Sequence, residues 1–129
     1  MNDCIVGIGS NLDAEVHIRA MLKLLEAAVE VVDVSEMVQT KPIGIIEQPD
    51  YTNGAARVRT TMDMESFRVF LKKLEDDLGR NRNEEKYGPR IIDLDIMIWN
   101  NVVVDPDYYT RDFLRKSAEE LGFQNKNER

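Results

Sequence analysis

Apolar positions along the first hundred residues switch between a period of two and a helical period, and the switches divide that stretch into six elements. Cys4 to Gly9 is a short apolar run ending in Gly9-Ser10-Asn11, the pattern of a buried strand entering a loop. From Glu15 to about Val31, the residues Ile18, Met21, Leu22, Leu25 and Val29 recur at helical spacing, and Asp13 and Glu15 stand at the end where a helix dipole favours acids. Val32 to Gln39 returns to β-branched residues and predicts a strand. The Pro- and Gly-containing loop Lys41 to Asp50 that follows is too long for a tight hairpin. Tyr51 to Thr60 predicts the next strand, with Ala56 and Val58 on one face and Arg57 and Arg59 on the other. Asp63 is placed to cap a helix running to about Leu78, whose stripe is Phe67, Phe70, Leu71, Leu74 and Leu78, and Gly79 suits its C-terminal end. After the Gly88-Pro89 bend, Leu94, Ile96 and Ile98 alternate as the core face of a last strand.

Strand, helix, strand, strand, helix, strand is the split βαβ order, and it predicts an α+β, ferredoxin-like βαββαβ fold: an antiparallel sheet with helices on one face. Beyond Trp99 the pattern is weaker. It suggests a short strand at Val102 to Val104, a short helix from Thr110 to Leu121, and a polar, frayed end from Gln124. The length of 129 residues suits one domain spanning 1–129.

Composition narrows the class of protein more than its chemistry. With 43% hydrophobic and 32% charged residues the chain is ordinarily globular, and a formal charge of −7 argues against broad attraction to nucleic acid or anionic lipid. No apolar run approaches the length needed to span a bilayer, and the N-terminus lacks a basic region followed by an apolar one, so a cytoplasmic protein is expected. Cys4 is the single cysteine and reads as a small buried hydrophobe in a reducing compartment. His17, the single histidine, reads as a helix-surface residue, which leaves zinc sites and histidine-dependent nucleophiles with little support.

Candidate chemistry concentrates in the run from Lys86 to Ile98. Strand alternation puts Asp93 and Asp95 on one face with Cα atoms about 7 Å apart, so their carboxylates can converge on hard cations. Two solvated aspartates on a half-buried strand are the alternative, although Asp is depleted in strands. Arg80, Arg82 and Arg90 occupy the loop feeding this strand, and arginine's rigid fork of donors matches phosphate geometry. Tyr51 and Asn53 share a face at a strand start and could receive a flat heterocycle, or equally be a packed ring and a turn residue. Gly7-Ile8-Gly9-Ser10-Asn11 continues into neither a P-loop nor a dinucleotide fingerprint, and reads as a strand-end turn with local hydrogen bonds.

Taken together, Gly9-Ser10-Asn11-Leu12, Thr40-Lys41-Pro42-Ile43-Gly44, Gln48-Pro49-Asp50-Tyr51-Thr52-Asn53, Gly79-Arg80 and Gly88-Pro89-Arg90-Ile91-Ile92-Asp93-Leu94-Asp95 make the chain resemble the 6-hydroxymethyl-7,8-dihydropterin pyrophosphokinases of folate biosynthesis. The resemblance spans residues 4 to about 104. It implies transfer of the terminal pyrophosphoryl unit of ATP to the hydroxymethyl group of a reduced pterin, with release of AMP. It further implies two Mg²⁺ ions on Asp93 and Asp95, and Arg80, Arg90 and Asp95 as the catalytic groups. Thr40, Pro42, Ile43, Tyr51, Asn53 and Phe113 match its pterin pocket, and Glu75, Arg82, Tyr87, Ile96 and Arg111 its nucleotide side. The expected partners are ATP and a reduced pterin, with no nucleic acid and no membrane, for a monomeric protein. The resemblance departs after Asp105, where family members carry a Pro-His segment and this chain has Pro106-Asp107. A catalytically weakened relative that binds pterin or nucleotide in a regulatory or interaction role is therefore the alternative.

Overall fold

β1 (Asn2–Ser10) forms the centre of the sheet because both of its edges find partners. β4 (Tyr51–Thr60) runs antiparallel along one edge, from Asn2 opposite Thr60 to Ser10 opposite Thr52. Along the other edge β5 (Asp93–Trp99) pairs from Gly9 opposite Asp93 to Cys4 opposite Trp99. The remaining strands are β2 (Glu30–Val34) and β3 (Val38–Thr40), both on β4, and β6 (Val102–Val103) on β5. The sheet order β2-β4-β1-β5-β6 is antiparallel throughout and has the ferredoxin-like topology expected from the sequence. This is a computed structural model, and it describes residues 1–42, 47–79 and 91–125.

Strand alternation sends Cys4, Val6 and Ile8 of β1, Ala56 and Val58 of β4, and Leu94 and Ile96 of β5 to one face. There they meet α1 (Ala14–Ala28) through Ile18, Met21 and Leu25, and α2 (Met64–Asp77) through Phe67, Leu71 and Leu74. Asp63 caps α2 by accepting the Ser66 N–H at 2.8 Å, and Gly79, at φ +99°, turns the chain away at the other end. Burying side chains of the Phe67 and Leu71 kind contributes roughly 1.5–3 kcal/mol each. Burial pushes the Cys4 thiol up to about 12, with the charge of Asp3 adding to the effect, so it packs as an inert small group. His17 is half-buried, its Nδ1 2.6 Å from the Leu12 carbonyl oxygen.

Four expectations change. The strand predicted over Val32 to Gln39 is two strands, because the Ser35 hydroxyl takes the Ala55 N–H at 2.9 Å while the Ser35 N–H reaches the Ala55 carbonyl, which ends the β2 ladder. Ile98 is buried, but not with Leu94 and Ile96. Ile5 faces Ile98 while Val6 faces Ile96, so Met97 is the extra residue of a β-bulge that turns Ile98 to the opposite face and returns Trp99 to the Phe67 side. The helix predicted over Thr110 to Leu121 is a single turn, α3 (Asp107–Thr110), followed by α4 (Asp112–Glu120). Nor do all helices lie on one face. α3 and α4 cover part of the second face, where Tyr108, Leu114, Ala118, Leu121 and Phe123 pack on Ile5, Ala55, Met97 and Ile98.

Candidate active site

Among the described elements, α3 and α4 cover one part of the second face, and the cavity lies beside them. Gly7 and Gly9 of β1 look onto this face, so the centre of the sheet presents bare backbone. Cross-strand register then orders the flanking side chains in two rows. Asn53, Gly9 and Asp93 form one row, and Ala55, Gly7 and Asp95 form the next. The result is a cavity of about 240 Å³ with Asn53 and Tyr51 on one side, the two aspartates on the other and glycine between them.

The two glycines differ in how tightly they are held: Gly9 leaves little room for a side chain, and Gly7 has room for one. A Cβ on Gly9 would lie 3.1 Å from Asn53 Oδ1 and 3.9 Å from Tyr51 Cδ1, whereas one on Gly7 would touch Met97 Cγ at an ordinary 3.5 Å. Asn53 is buried and donates through Nδ2 to Thr40 Oγ1 at 2.5 Å, which sets the amide plane against β3. At the end of β1, Asn11 Nδ2 donates to Gln48 Oε1 at 2.8 Å and to the Pro49 carbonyl at 3.0 Å, and Ser10 Oγ donates to the Ile91 carbonyl. The strand-end turn read at Gly7 to Asn11 is thus a strand that continues to Ser10, and its polar residues tie down the chain segments leading into β4 and β5.

Asp95 carries the clearest electrostatic signature. Its carboxyl is held above the usual range, first by desolvation within the concave surface and then by the negative charge of Asp93, with Lys72 pulling the other way from 3.3 Å. Its side chain still has 53% of its surface open, and that opening faces the cavity. Two acids held together at this cost fit a hard cation that prefers oxygen donors. Among the described residues no group of three or more metal-ligating side chains forms; Asp93 and Asp95 are the acids lining the cavity on β5 that would hold such a cation. The opposite wall comes from the C-terminal segment. Arg111 and Phe113 line the cavity, Arg111 Nη2 stands 3.8 Å from Asp107 Oδ2, and the Asp107 N–H donates to Asp105 Oδ1 at 3.0 Å.

A glycine floor, an amide beside an aromatic ring and a pair of acids make a cavity suited to a small polar heterocycle together with a cation-bound anion. Comparison with known proteins gives the same direction. The model of the 7,8-dihydro-6-hydroxymethylpterin-pyrophosphokinase family matches residues 5–122. The chain belongs to this family. Relatives include a 2-amino-4-hydroxy-6-hydroxymethyldihydropteridine pyrophosphokinase of Bacillus subtilis, 32% identical over 93% of this chain and 78% of that protein. The enzyme of the same name from Haemophilus influenzae is 31% identical over 81% of this chain and 67% of its own length. A mitochondrial folate synthesis bifunctional protein of Pisum sativum is 30% identical over 84% of this chain, which spans 21% of that longer protein.

Within this pyrophosphokinase-family fold, Thr40, Tyr51, Asn53, Asp93, Asp95, Arg111 and Phe113 all line the one cavity, although they come from β3, β4, β5 and the α3–α4 segment. Pro42 is half-buried and is not among the lining residues. The Ile96 side chain points into the core under α2, away from the cavity, because it alternates with Asp95. Glu75 is fully buried on α2, where its Oε2 accepts the Leu94 N–H at 2.6 Å, so its side chain does not open onto the cavity either. Ile43, Arg80, Arg82, Tyr87 and Arg90 lie outside the described residues. Gly7, Gly9, Lys41, Met97, Asp105, Asp107 and Leu114 line the cavity without having been singled out as site residues. For the glycines a signal existed: two of them, two apart in a buried strand, mark a face that something approaches closely.

Proposed function

We propose that the chain holds a reduced 6-hydroxymethylpterin against Tyr51 and Asn53 and transfers to it the terminal pyrophosphoryl unit of ATP. The pterin hydroxyl oxygen forms the new bond to the β-phosphorus, the bond from that phosphorus to the oxygen bridging it to the α-phosphate breaks, AMP leaves and the hydroxyl proton is released. Membership of the family makes the chain an ATP-dependent diphosphotransferase of folate synthesis. The observation that carries the assignment of residues is the pair of cross-strand rows, which puts the amide of Asn53 and the acids Asp93 and Asp95 on opposite sides of one glycine floor.

Each residue then has a task. Asn53, braced by Thr40, reads the heterocycle edge, and Tyr51 and Phe113 offer their rings to its flat faces. Asp93 and Asp95 hold two Mg²⁺ ions, which supply charge neutralisation and orientation for the triphosphate. Arg111 faces the nucleotide from the opposite wall; by resemblance to the family, Arg82 and Tyr87 serve the nucleotide as well, Arg80 and Arg90 balance charge on the transferred group, and Ile43 belongs to the pterin pocket. Residues 1–129 are read as one domain that works in the cytoplasm as a monomer. No described helix is long and apolar enough to cross a membrane.

Incubation with ATP, Mg²⁺ and the hydroxymethyl dihydropterin is expected to yield AMP and the pyrophosphorylated pterin. Folded protein that releases no AMP above background would refute the transfer. One observation favours the alternative of a weakened relative: Asp107 stands within 3.8 Å of Arg111 at the cavity wall and offsets a cation that would otherwise meet ATP. Calorimetry that finds pterin binding without Mg²⁺-dependent ATP binding would select that reading.

A further inference from the structure

Leu94, the residue between the two aspartates, has a backbone that needs a neighbour. Among the described strands, β1 occupies one edge of β5 at this point, and β6 on the other edge pairs only with Ile98 and Trp99. The outward N–H and carbonyl of Leu94 would therefore be unpaired and buried, since Leu94 is 0% exposed, a costly arrangement for any peptide group. Two side chains of α2 take the place of a strand. Glu75 Oε2 accepts the Leu94 N–H at 2.6 Å, and Lys72 Nζ donates to the Leu94 carbonyl at 3.0 Å. The two partners are one helical turn apart and 3.4 Å from each other, so each also balances the other's charge. Lys72 reaches on to Asp95 Oδ1 at 3.3 Å.

The peptide groups on either side of Leu94 belong also to Asp93 and Asp95. Holding the N–H of one and the carbonyl of the other sets the direction in which both carboxylates leave the strand. We propose that Glu75, with Lys72 as its partner, is a positioning residue for the acidic pair, acting through the Leu94 backbone. The inference rests on reading Asp93 and Asp95 as cation ligands. It explains a wholly buried glutamate that the cavity does not use, and it differs from a nucleotide contact by requiring no nucleotide for its effect.

Mn²⁺ binding to the nucleotide-free protein, followed by electron paramagnetic resonance, and amide exchange at Leu94, followed by NMR, test it together. Glu75→Leu is expected to weaken Mn²⁺ binding on the order of tenfold and to speed Leu94 exchange, the scale typical when the support of a metal ligand is removed. Glu75→Gln keeps an oxygen acceptor in place and is expected to retain both properties. A purely electrostatic role would move the Gln and Leu variants equally, and that result overturns the proposal. Where Glu75→Leu fails to fold, Glu75→Asp, one methylene too short to reach Leu94, is expected to show the same two losses. Unchanged Leu94 exchange in Glu75→Leu or in Glu75→Asp also overturns it. Mn²⁺ binding that Asp95→Asn abolishes but Glu75 variants leave alone defeats the proposal by itself, whereas a wild-type protein that binds no Mn²⁺ defeats the cation reading and the proposal with it.

Discussion

Asn53 and Asp93 stand opposite the same residue, Gly9, one across each edge of β1. Their Cα atoms are therefore two strand spacings apart, about 10 Å, a separation fixed by backbone hydrogen bonds rather than by loop conformation. A heterocycle read by Asn53 and an anion held through Asp93 would meet above Gly9, where β1 itself contributes no side chain.

Gly9→Ala tests that spacing. The new methyl would lie 3.1 Å from Asn53 Oδ1, so the amide must give way by a few tenths of an ångström. Pterin binding is expected to weaken on the order of tenfold, in keeping with the sensitivity of positioned groups to small displacements. Gly9 does not have a positive φ, so the fold should accept the alanine and the melting temperature should change little. Isothermal titration with the pterin decides, and an unchanged affinity would remove Gly9 from the site.

Asp95→Asn should abolish turnover while leaving the ion-free protein as stable as the wild type or more so. The carboxyl of Asp95 is held above its ordinary value by desolvation and by Asp93, which means that folding disfavours its charged form. Stability from this group is present below the ordinary carboxylate value and is lost as pH rises through the higher folded value. The melting temperature of Asp95→Asn relative to wild type should accordingly increase across that rise in Mg²⁺-free buffer. A variant that melts far below wild type at neutral pH would point to a structural role instead.

Asp3 predicts the opposite pH dependence. The Arg57 guanidinium, hydrogen-bonded to it at 2.8 Å, holds its carboxyl below the usual value, with Arg59 adding to the effect. Its stabilisation is present above the ordinary carboxylate value and is lost as pH falls through the lower folded one. Because the pair is about one-third exposed, solvent screening limits its worth to on the order of 1 kcal/mol or less. Thermal melts of Asp3→Asn should fall below wild type near pH 7 and converge with it in strong acid. A constant difference at every pH would exclude the ion pair as the cause.

Tyr108→Ala should damage stability and the site together. Tyr108 is 1% exposed and meets Phe123 edge-on at 5.7 Å, anchoring α3 and α4 on the second face. Loss of a buried aromatic of this size costs about 3 kcal/mol or more. The wall carrying Arg111 and Phe113 should loosen with it. Urea unfolding should show the lower midpoint, and pterin titration of the protein still folded should show weaker binding. Unaltered binding would mean that this wall is held by something other than Tyr108.

Features governed by neighbouring residues in the chain are legible in the sequence by itself. The βαββαβ order follows from the change of hydrophobic period, and strand alternation alone puts Asp93 and Asp95 on one face. The cap at Asp63 and the turn at Gly79 depend on three or four consecutive residues and match their expected places. What required the tertiary structure depends on pairing between distant strands. The row Asn53-Gly9-Asp93 exists only through register on both sides of β1, and the Met97 bulge that redirects Ile98 is a mismatch between two strands rather than a property of either. The placing of α3 and α4 on the second face is decided by the apolar patch of Ile5, Ala55 and Met97, which no single segment displays. Glu75 shows the same division: its spacing on α2 is local, but its burial against Leu94 is decided by the outer edge of β5, where no described strand pairs with that residue. Side-chain direction along an element is a short-range consequence of backbone geometry, whereas hydrogen-bond partners across the sheet are chosen among all strands at once.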